Sequence, residues 1–533
     1  MMNLDHNILT IITFTPLAGA IVLALLPDRD KLQQWGALLV TLLTFLFTLH
    51  LPFHYDSSAP ADSFQFQQNL SWITSPAIHY HVGVDGLSLW LIVLTGLLAP
   101  LGILISWRAI DNRRRLFYTL FLLQQVAMLG IFVSLDLFLY YAFWELSLVP
   151  MALLIATFGR TENRRRAAIK FFLYAFIPSA ILLVGMLWLY ARTGTFDFPQ
   201  LAQLAATHGI SSNQTALWLA SLAFLAAFAV KVPVFPLHGW LSDAVSEAPT
   251  AAVMVIAGKL GLYSILRFSF GIFPAQSHRI APLMLALGAI GIVYGALIAL
   301  VQKDLKKLAA FATLGHVSVV ILGIFAFTVS GIDGGIYQTL NEGIGGSALF
   351  MLLGLLYERY HTYDIREYGG LASRLPWIVT MFVLTALSTA GLPMLNGFVG
   401  EFLVFSGAMQ SAIAHHVGWT VFATTSVILT ASYMLWMIQR VFYGDLSRRA
   451  ERVIPYDLTS REHLALWPLV ALFLFMGIAS PVWLKAIDTA GSRIAATVNH
   501  SQAVTLNFEA SSSSATAPET AIMTTSSATK GAR

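Results

Sequence analysis

Apolar runs close to twenty residues recur along almost the whole 533-residue chain. Each is long enough to cross about 30 Å of hydrocarbon. A run at that depth has no water to satisfy its backbone, so it must form a helix or join a closed barrel. The alternating ten-residue segments of a barrel are missing, so helices are the remaining solution. Composition agrees: 57% of residues are apolar and 11% charged, against about 25% charged in soluble domains. The chain reads as an all-α polytopic membrane protein with about fourteen transmembrane helices.

The expected spans are 8–26, 35–52, 84–106, 116–134, 137–158, 168–191, 214–240, 251–271, 281–301, 308–329, 335–357, 376–411, 417–439 and 464–487. Lys and Arg set their direction. Loops on one side carry 21 of the 31 basic residues, among them Arg113 to Arg115, Arg164 to Arg166, Lys303, Lys306, Lys307 and Arg448. The other side carries five, and five more fall within the spans. By the positive-inside rule the first side is cytoplasmic and both termini lie outside. Residues 53–83 read as an outer loop over the bundle mouth. The Ser/Thr/Ala-rich end from about 509 reads as a tail with too little apolar surface to fold. MMNLDHN lacks a basic n-region, so the first helix is expected to be retained.

Two spans are interrupted. In FAVKVPVFPLHGWLSDAVSEAPT, Lys231 is followed at once by Pro233 and Pro236. In STAGLPMLNGFVGEF, Gly391, Pro393 and Gly397 fall in mid-span before Glu401. A proline removes a backbone donor and clashes with the preceding turn, so both helices must break. A cation at the bilayer centre costs about 2.5–3.5 kcal/mol on insertion scales. Both features become tolerable inside a bundle beside a polar path. Five spans apart, the broken helices cross in opposite senses, as expected of two inverted five-helix repeats with broken helices 7 and 12. The domains expected are 1–107, an N-terminal three-helix segment with the outer loop; 108–271 and 272–443, the two repeats; 444–487, a cytoplasmic linker and last helix; and 488–533, an outer low-complexity tail.

Few ionisable groups remain at depth: Glu145, Lys231, Lys259, His316, Glu342 and Glu401. Glu145 and Lys231 form either a static buried pair or a movable one. At about 4 Å and an effective dielectric near 20 such a pair attracts by about 4 kcal/mol, which offsets much of the desolvation. Lys259 adds a like charge, which a purely static lock does not need. His316 is either a hydrogen-bonded core histidine or a relay whose two nitrogens and ordinary pKa near 6.5 suit proton transfer. His238, just past the first break, either sits in an intake path or caps the interrupted helix. Glu342 is a relay carboxylate or the partner of a nearby base. Arg267 is expected to snorkel from the outer end of its span, Asp136 to cap a helix, and Asp243 and Glu247 to cap the next one.

Several activities are excluded. With no cysteine there is no disulfide and no thiolate-held cluster. No GxGxxG after a strand and no GxxxxGK[ST] occurs. His and carboxylates do not cluster at metal-ligand spacing.

The stretches FWELSLVPM, KVPVFPLHGWLSDAVSEAPT, AGKLGLYSILR, LKKLAAFATLGHVS and GLPMLNGFVGEF resemble the antiporter-type subunits of respiratory complex I, over residues 80 to 445. These are similar in turn to large subunits of multisubunit sodium/proton antiporters and membrane-bound hydrogenases. The resemblance implies a proton pathway: Glu145 and Lys231 as the paired groups of a first half-channel, Lys259 as the link, His316 as the central histidine, and Glu401 before the outer exit. A glutamate at Glu401 is the mark of the subunit M (chain 4) branch. That implies L- and N-type subunits as neighbours in a bacterial inner membrane, with FMN, iron–sulfur clusters and quinone on other subunits and no cofactor here. Where the family usually has histidine, this chain has Glu342. The position stays protonatable, but its deprotonated form is negative instead of neutral. The other readings are a gradient-driven sodium/proton antiporter subunit, a hydrogenase-type ion translocator, and a structural spacer.

Overall fold

The computed structural model describes residues 2–514 except 61–62, 208, 257–258 and 454, without side chains at 2–4, 255–256 and 502–514. The chain begins with α1 (Met2–Leu25) and α2 (Asp30–His54), then a hairpin of β1 (Gln65–Ile73) and β2 (Ile78–Val84). The bundle continues with α3 (Leu89–Ser106), α4 (Arg114–Val133), α5 (Leu137–Leu146), α6 (Leu148–Phe158) and α7 (Arg164–Thr193). A short α8 (Phe198–Ala206) precedes the broken span made of α9 (Gln214–Lys231) and α10 (Leu241–Glu247). Next come α11 (Thr250–Ile256), α12 (Lys259–Ser264), a π-helical turn over Ile265–Ser269 and α13 (Phe270–Ile272). The second half holds α14 (Pro274–Val301), α15 (Leu305–Ile324), α16 (Val329–Tyr360), α17 (Pro376–Thr389), α18 (Asn396–Met409), α19 (His416–Thr424) and α20 (Ser426–Phe442). The chain ends with α21 (Arg448–Arg452), α22 (Ser460–Ile478) and α23 (Pro481–Ser514).

Among the described residues, thirteen helical stretches are long and apolar enough to cross a membrane. The expected span 376–411 is instead two shorter helices, α17 and α18, each 14 residues and thus about 21 Å long. Both breaks fall where the prolines and glycines place them, at 232–240 and 390–395.

Three expectations need correction. The outer loop is an antiparallel hairpin, with Asn69 opposite His81 and Leu70 opposite Tyr80; its short alternating strands were hidden by the long apolar runs around them. The last crossing ends at Ile478, before a turn at Ser480 and Pro481. Residues 488–514, expected in a tail, continue α23, because the segment up to Val498 carries enough apolar residues to bury a face. The rest of the expected tail, 515–533, lies outside the described residues. α23 lies across helix ends: Arg493 bonds Asp85 before α3 at 2.6 Å, and Asn499 bonds the Phe327 carbonyl between α15 and α16 at 3.1 Å.

The basic loops interlock on the opposite face. Arg160 reaches Asp304 at 3.3 Å, Arg449 reaches Glu367 at 2.8 Å and Arg359 reaches Glu462 at 2.8 Å. The grouping of those loops on one side is thereby met by contacts.

The two halves also share a local joint. The N–H of Leu137 donates to the Phe196 carbonyl and that of Phe198 to the Leu135 carbonyl. In the second half, Leu305 donates to Tyr363 and Ile365 to Lys303 in the same pattern. Asp136 caps α5 and Asp304 caps α15. The first joint sits beside the β1–β2 hairpin, the second among the basic loops.

Candidate functional site: a file of buried ionisable groups

α5 and α6 meet at Ser147, and α9 ends at Lys231 directly before the first break. Lys231 Nζ donates to Ser147 Oγ at 3.2 Å and lies 5.0 Å from the centre of the Trp144 ring and 5.9 Å from that of Phe171. Glu145 lies within electrostatic reach of Lys231, but its carboxylate accepts a hydrogen bond from Ser179 on α7. Among the described residues the two form no ion pair: Ser179 and Ser147 hold them apart. The loop of the break is fixed to α9 by Trp240 Nε1, which donates to the Val230 carbonyl at 2.9 Å. His238 packs against Phe235 and Tyr294 with its Nδ1 unbonded, so it is not a helix cap.

Lys259 opens α12 and donates to the Met254 carbonyl at 3.0 Å. Gly261, two residues on, lets α12 lie directly on the end of α9. A Cβ there would stand 2.8 Å from the Phe228 carbonyl oxygen and 2.9 Å from the Val232 nitrogen. Lys259 and Lys231 are thus carried to neighbouring backbone. The Lys259 side chain runs along Gly343 of α16 and faces Glu342.

Glu342, His316 and Glu401 come from α16, α15 and α18. With Lys259 they are only 3–8% exposed, so all four point into the bundle and none faces lipid. His316 Nδ1 is 3.7 Å from Glu401 Oε1. A cavity of about 20 Å³ between His316, Asn341, Glu342, Ser388 and Thr389 has room for about one water. Among the described residues Glu342 Oε1 and His316 Nε2 have no hydrogen-bond partner, and two unpaired polar atoms at such a cavity are what a transferable proton or water needs. Gly391, at φ +71°, makes the turn in the second break and places its backbone beside Glu401 Oε2, where a Cβ would come within 2.8 Å.

Several site features escaped the sequence reading. Asn341 Nδ2 donates to the Asn396 carbonyl at 2.8 Å, Asn396 Nδ2 returns to Asn341 Oδ1 at 2.9 Å, and Ser388 Oγ donates to Asn396 Oδ1 at 2.6 Å. This ring ties α16 to both halves of the broken helix; amides within apolar spans were the available signal. Lys306, counted among solvated loop cations, is 4% exposed with Nζ on the Ala248 carbonyl. The turn before α11 folds over it, a contact between residues 58 apart. Arg267 does not snorkel. It is 2% exposed in the π-helical turn, and its two terminal nitrogens bond Asp85 at 2.7 and 2.5 Å. Asp136 caps α5 as expected. Asp243 and Glu247 instead bond Lys170 and Thr161.

A polytopic bundle with two broken helices and a file of Glu, Lys, His and Glu between them is an antiporter-type membrane subunit. The transmembrane family described as NADH:quinone oxidoreductase/Mrp antiporter matches residues 134–430. The chain belongs to that family, in its subunit M (chain 4) branch. NADH-quinone oxidoreductase subunit M of Rhodobacter capsulatus is 41% identical over 494 residues, covering 89% of this chain and 93% of the relative. NADH-ubiquinone oxidoreductase chain 4 of Arabidopsis thaliana is 36% identical, covering 90% and 95%. A chain in the structure of respiratory complex I from Thermus thermophilus with bound NADH superposes with a TM-score of 0.82 at 29% identity, over 92% of this chain and 99% of that one. A chain of the Mrp complex from Dietzia sp. shares the fold, with a TM-score of 0.81 at 22% identity, over 94% and 99%.

Proposed function

We propose that this chain carries protons across the membrane as a membrane-arm subunit of an NADH:quinone oxidoreductase, coupling electron transfer on other subunits to pumping. The observation that carries the reading is the file itself: Glu145, Lys231, Lys259, Glu342, His316 and Glu401 follow one another across the two breaks. Four of the six are shielded from lipid and bulk water. Buried charge is expensive and persists where it is moved.

When Glu145 is neutralised or drawn away, Lys231 loses its counter-charge and passes its proton towards Lys259. Glu342 facing Lys259 repeats the arrangement, a carboxylate opposite a buried ammonium. His316 and Glu401, 3.7 Å apart, take the last transfer before the outer side, and His238 stands as a further relay candidate at the intake end. Moving one charge against 100 mV requires about 2.3 kcal/mol, less than two pKa units at about 1.36 kcal/mol each. Modulating one buried pair is sufficient.

Redox centres, FMN, iron–sulfur clusters and quinone are assigned to other subunits, with L- and N-type subunits as the neighbours. The membrane is a bacterial plasma membrane with both termini outside. The two inverted repeats are 108–271 and 272–443, preceded by the 1–107 segment and followed by the linker and α22 up to Ile478; the paired joints at Leu137/Phe196 and Leu305/Tyr363 support that division. Replacing Lys231 with Met in the assembled complex is expected to abolish NADH-driven proton uptake into vesicles while assembly survives. Normal proton yield would refute the proposal. A chain that co-purifies with multisubunit antiporter or hydrogenase subunits would establish those alternatives instead.

A further inference from the structure

Outside the file, α7 carries a charged pair at its basic-loop end. Lys170 Nζ bonds Asp243 Oδ2 at 2.7 Å, with the two side chains 36% and 44% exposed. Lys170 lies a turn and a half inside α7, and Asp243 lies in the first turn of α10, beyond the break.

The pair borders the same aromatic contact as Lys231. Phe171, next to Lys170, meets Trp240, three residues before Asp243, edge to face at 5.3 Å. The Lys231 ammonium is 5.9 Å from the Phe171 ring, and Trp240 is bonded to the carbonyl of Val230, its neighbour in sequence. Tyr174, one turn above Lys170, packs on Gly239. Further along, Ser179 holds Glu145. α7 therefore touches the exposed pair, Lys231 and the carboxylate that modulates Lys231.

We propose that Lys170 and Asp243 form the proton-collecting pair for Lys231. This rests on the proton-pumping reading above. Asp243, half open to water, takes a proton from the aqueous phase and passes it towards Lys231 once that amine has given its own proton up, with the Phe171–Trp240 contact standing between the two sites. Of the other titratable groups on the neighbouring elements, Glu247 in the same segment is bonded to Thr161, Tyr174 packs on Gly239, His238 packs on Tyr294, and Lys231 lies beyond the aromatic contact.

The test is NADH-driven proton uptake by vesicles carrying the assembled complex, measured from pH 6.5 to 8.5 for Asp243→Asn, Asp243→Glu and Lys170→Met. Supply of protons from water limits a complex that lacks its collector, so the Asp243→Asn deficit is expected to widen with pH, by up to about tenfold per unit. Asp243→Glu should restore uptake, and Lys170→Met should show a pH-dependent deficit even if Asp243→Asn fails to assemble. A deficit constant across pH, or not relieved by Glu, would make the pair merely structural and overturn the proposal, as would unaltered uptake. Lys231→Met run alongside separates the two readings: normal pumping there defeats the proposed function, whereas its loss together with unaltered Asp243→Asn and Lys170→Met defeats only the collecting pair.

Discussion

Asp85 shows how much of this molecule is decided by single side chains. Burial by itself would raise its carboxyl pKa, but Arg267 and Arg493 outweigh burial and hold it well below the usual carboxylate range. The sign of the resulting pH dependence follows. A carboxyl with a depressed folded-state value contributes stability above its unfolded value, near 3.9, and loses it as pH falls through the folded value. Removing one member of a buried pair costs about 3–5 kcal/mol. Asp85→Asn is therefore expected to lower the unfolding temperature of the detergent-solubilised complex at pH 7. Melting curves for variant and parent should begin to draw together only as pH falls below about 3.9, and should meet once pH has fallen through the depressed folded-state value, where the parent carboxyl is itself neutral. In the file, Glu342→Gln keeps the shape of the side chain but leaves Lys259 facing no charge. Proton yield per NADH should fall with assembly intact, and an unchanged yield would remove Glu342 from the relay.

Among the elements, the packing of α12 on α9 depends on one glycine. A Cβ at Gly261 meets Val232 Cγ2 at 2.6 Å as well as the α9 backbone. Gly261→Val must push the two helices apart at a cost of about 1–3 kcal/mol, and should reduce pumping more than NADH oxidation because it separates Lys259 from Lys231. The ring of Asn341, Asn396 and Ser388 performs the same service at the second break. Asn396→Ala leaves a buried amide oxygen and a hydroxyl without partners, at about 1–3 kcal/mol, and should lower the thermal midpoint of the complex. The two joints carry a lesson for sequence reading. TFDF at 195–198 and TYDI at 362–365 are visibly alike, as are Asp136-Leu137 and Asp304-Leu305. The likeness of the two halves is legible there, in the caps and turns, and not in the apolar helices.

For the whole molecule, one face is closed by α23 and the hairpin, and the other by the interlocked basic loops. α23 is fastened through Arg493 to Asp85 and through Asn499 to Phe327. Arg493→Ala is expected to free its outer end, seen as faster proteolytic cleavage after residue 481 with the rest of the bundle intact.

By itself the sequence determined the helical membrane-spanning class, the sites of both breaks and the burial of Lys259, His316, Glu342 and Glu401. Each follows from a local fact: hydrocarbon forces apolar runs into helices, proline ends them, and a charge at depth is too expensive to be incidental. Only the tertiary structure decided which groups meet. It set Lys231 on Ser147 and Glu145 on Ser179, buried Lys306, and joined Asp85 to Arg267 and Arg493, the latter 408 residues away. Lipid tails are as apolar as leucine, so a membrane helix carries no hydrophobic stripe that tells which face turns inward. That rotation is fixed by small residues and polar contacts between distant segments, and it appears only when the helices are packed.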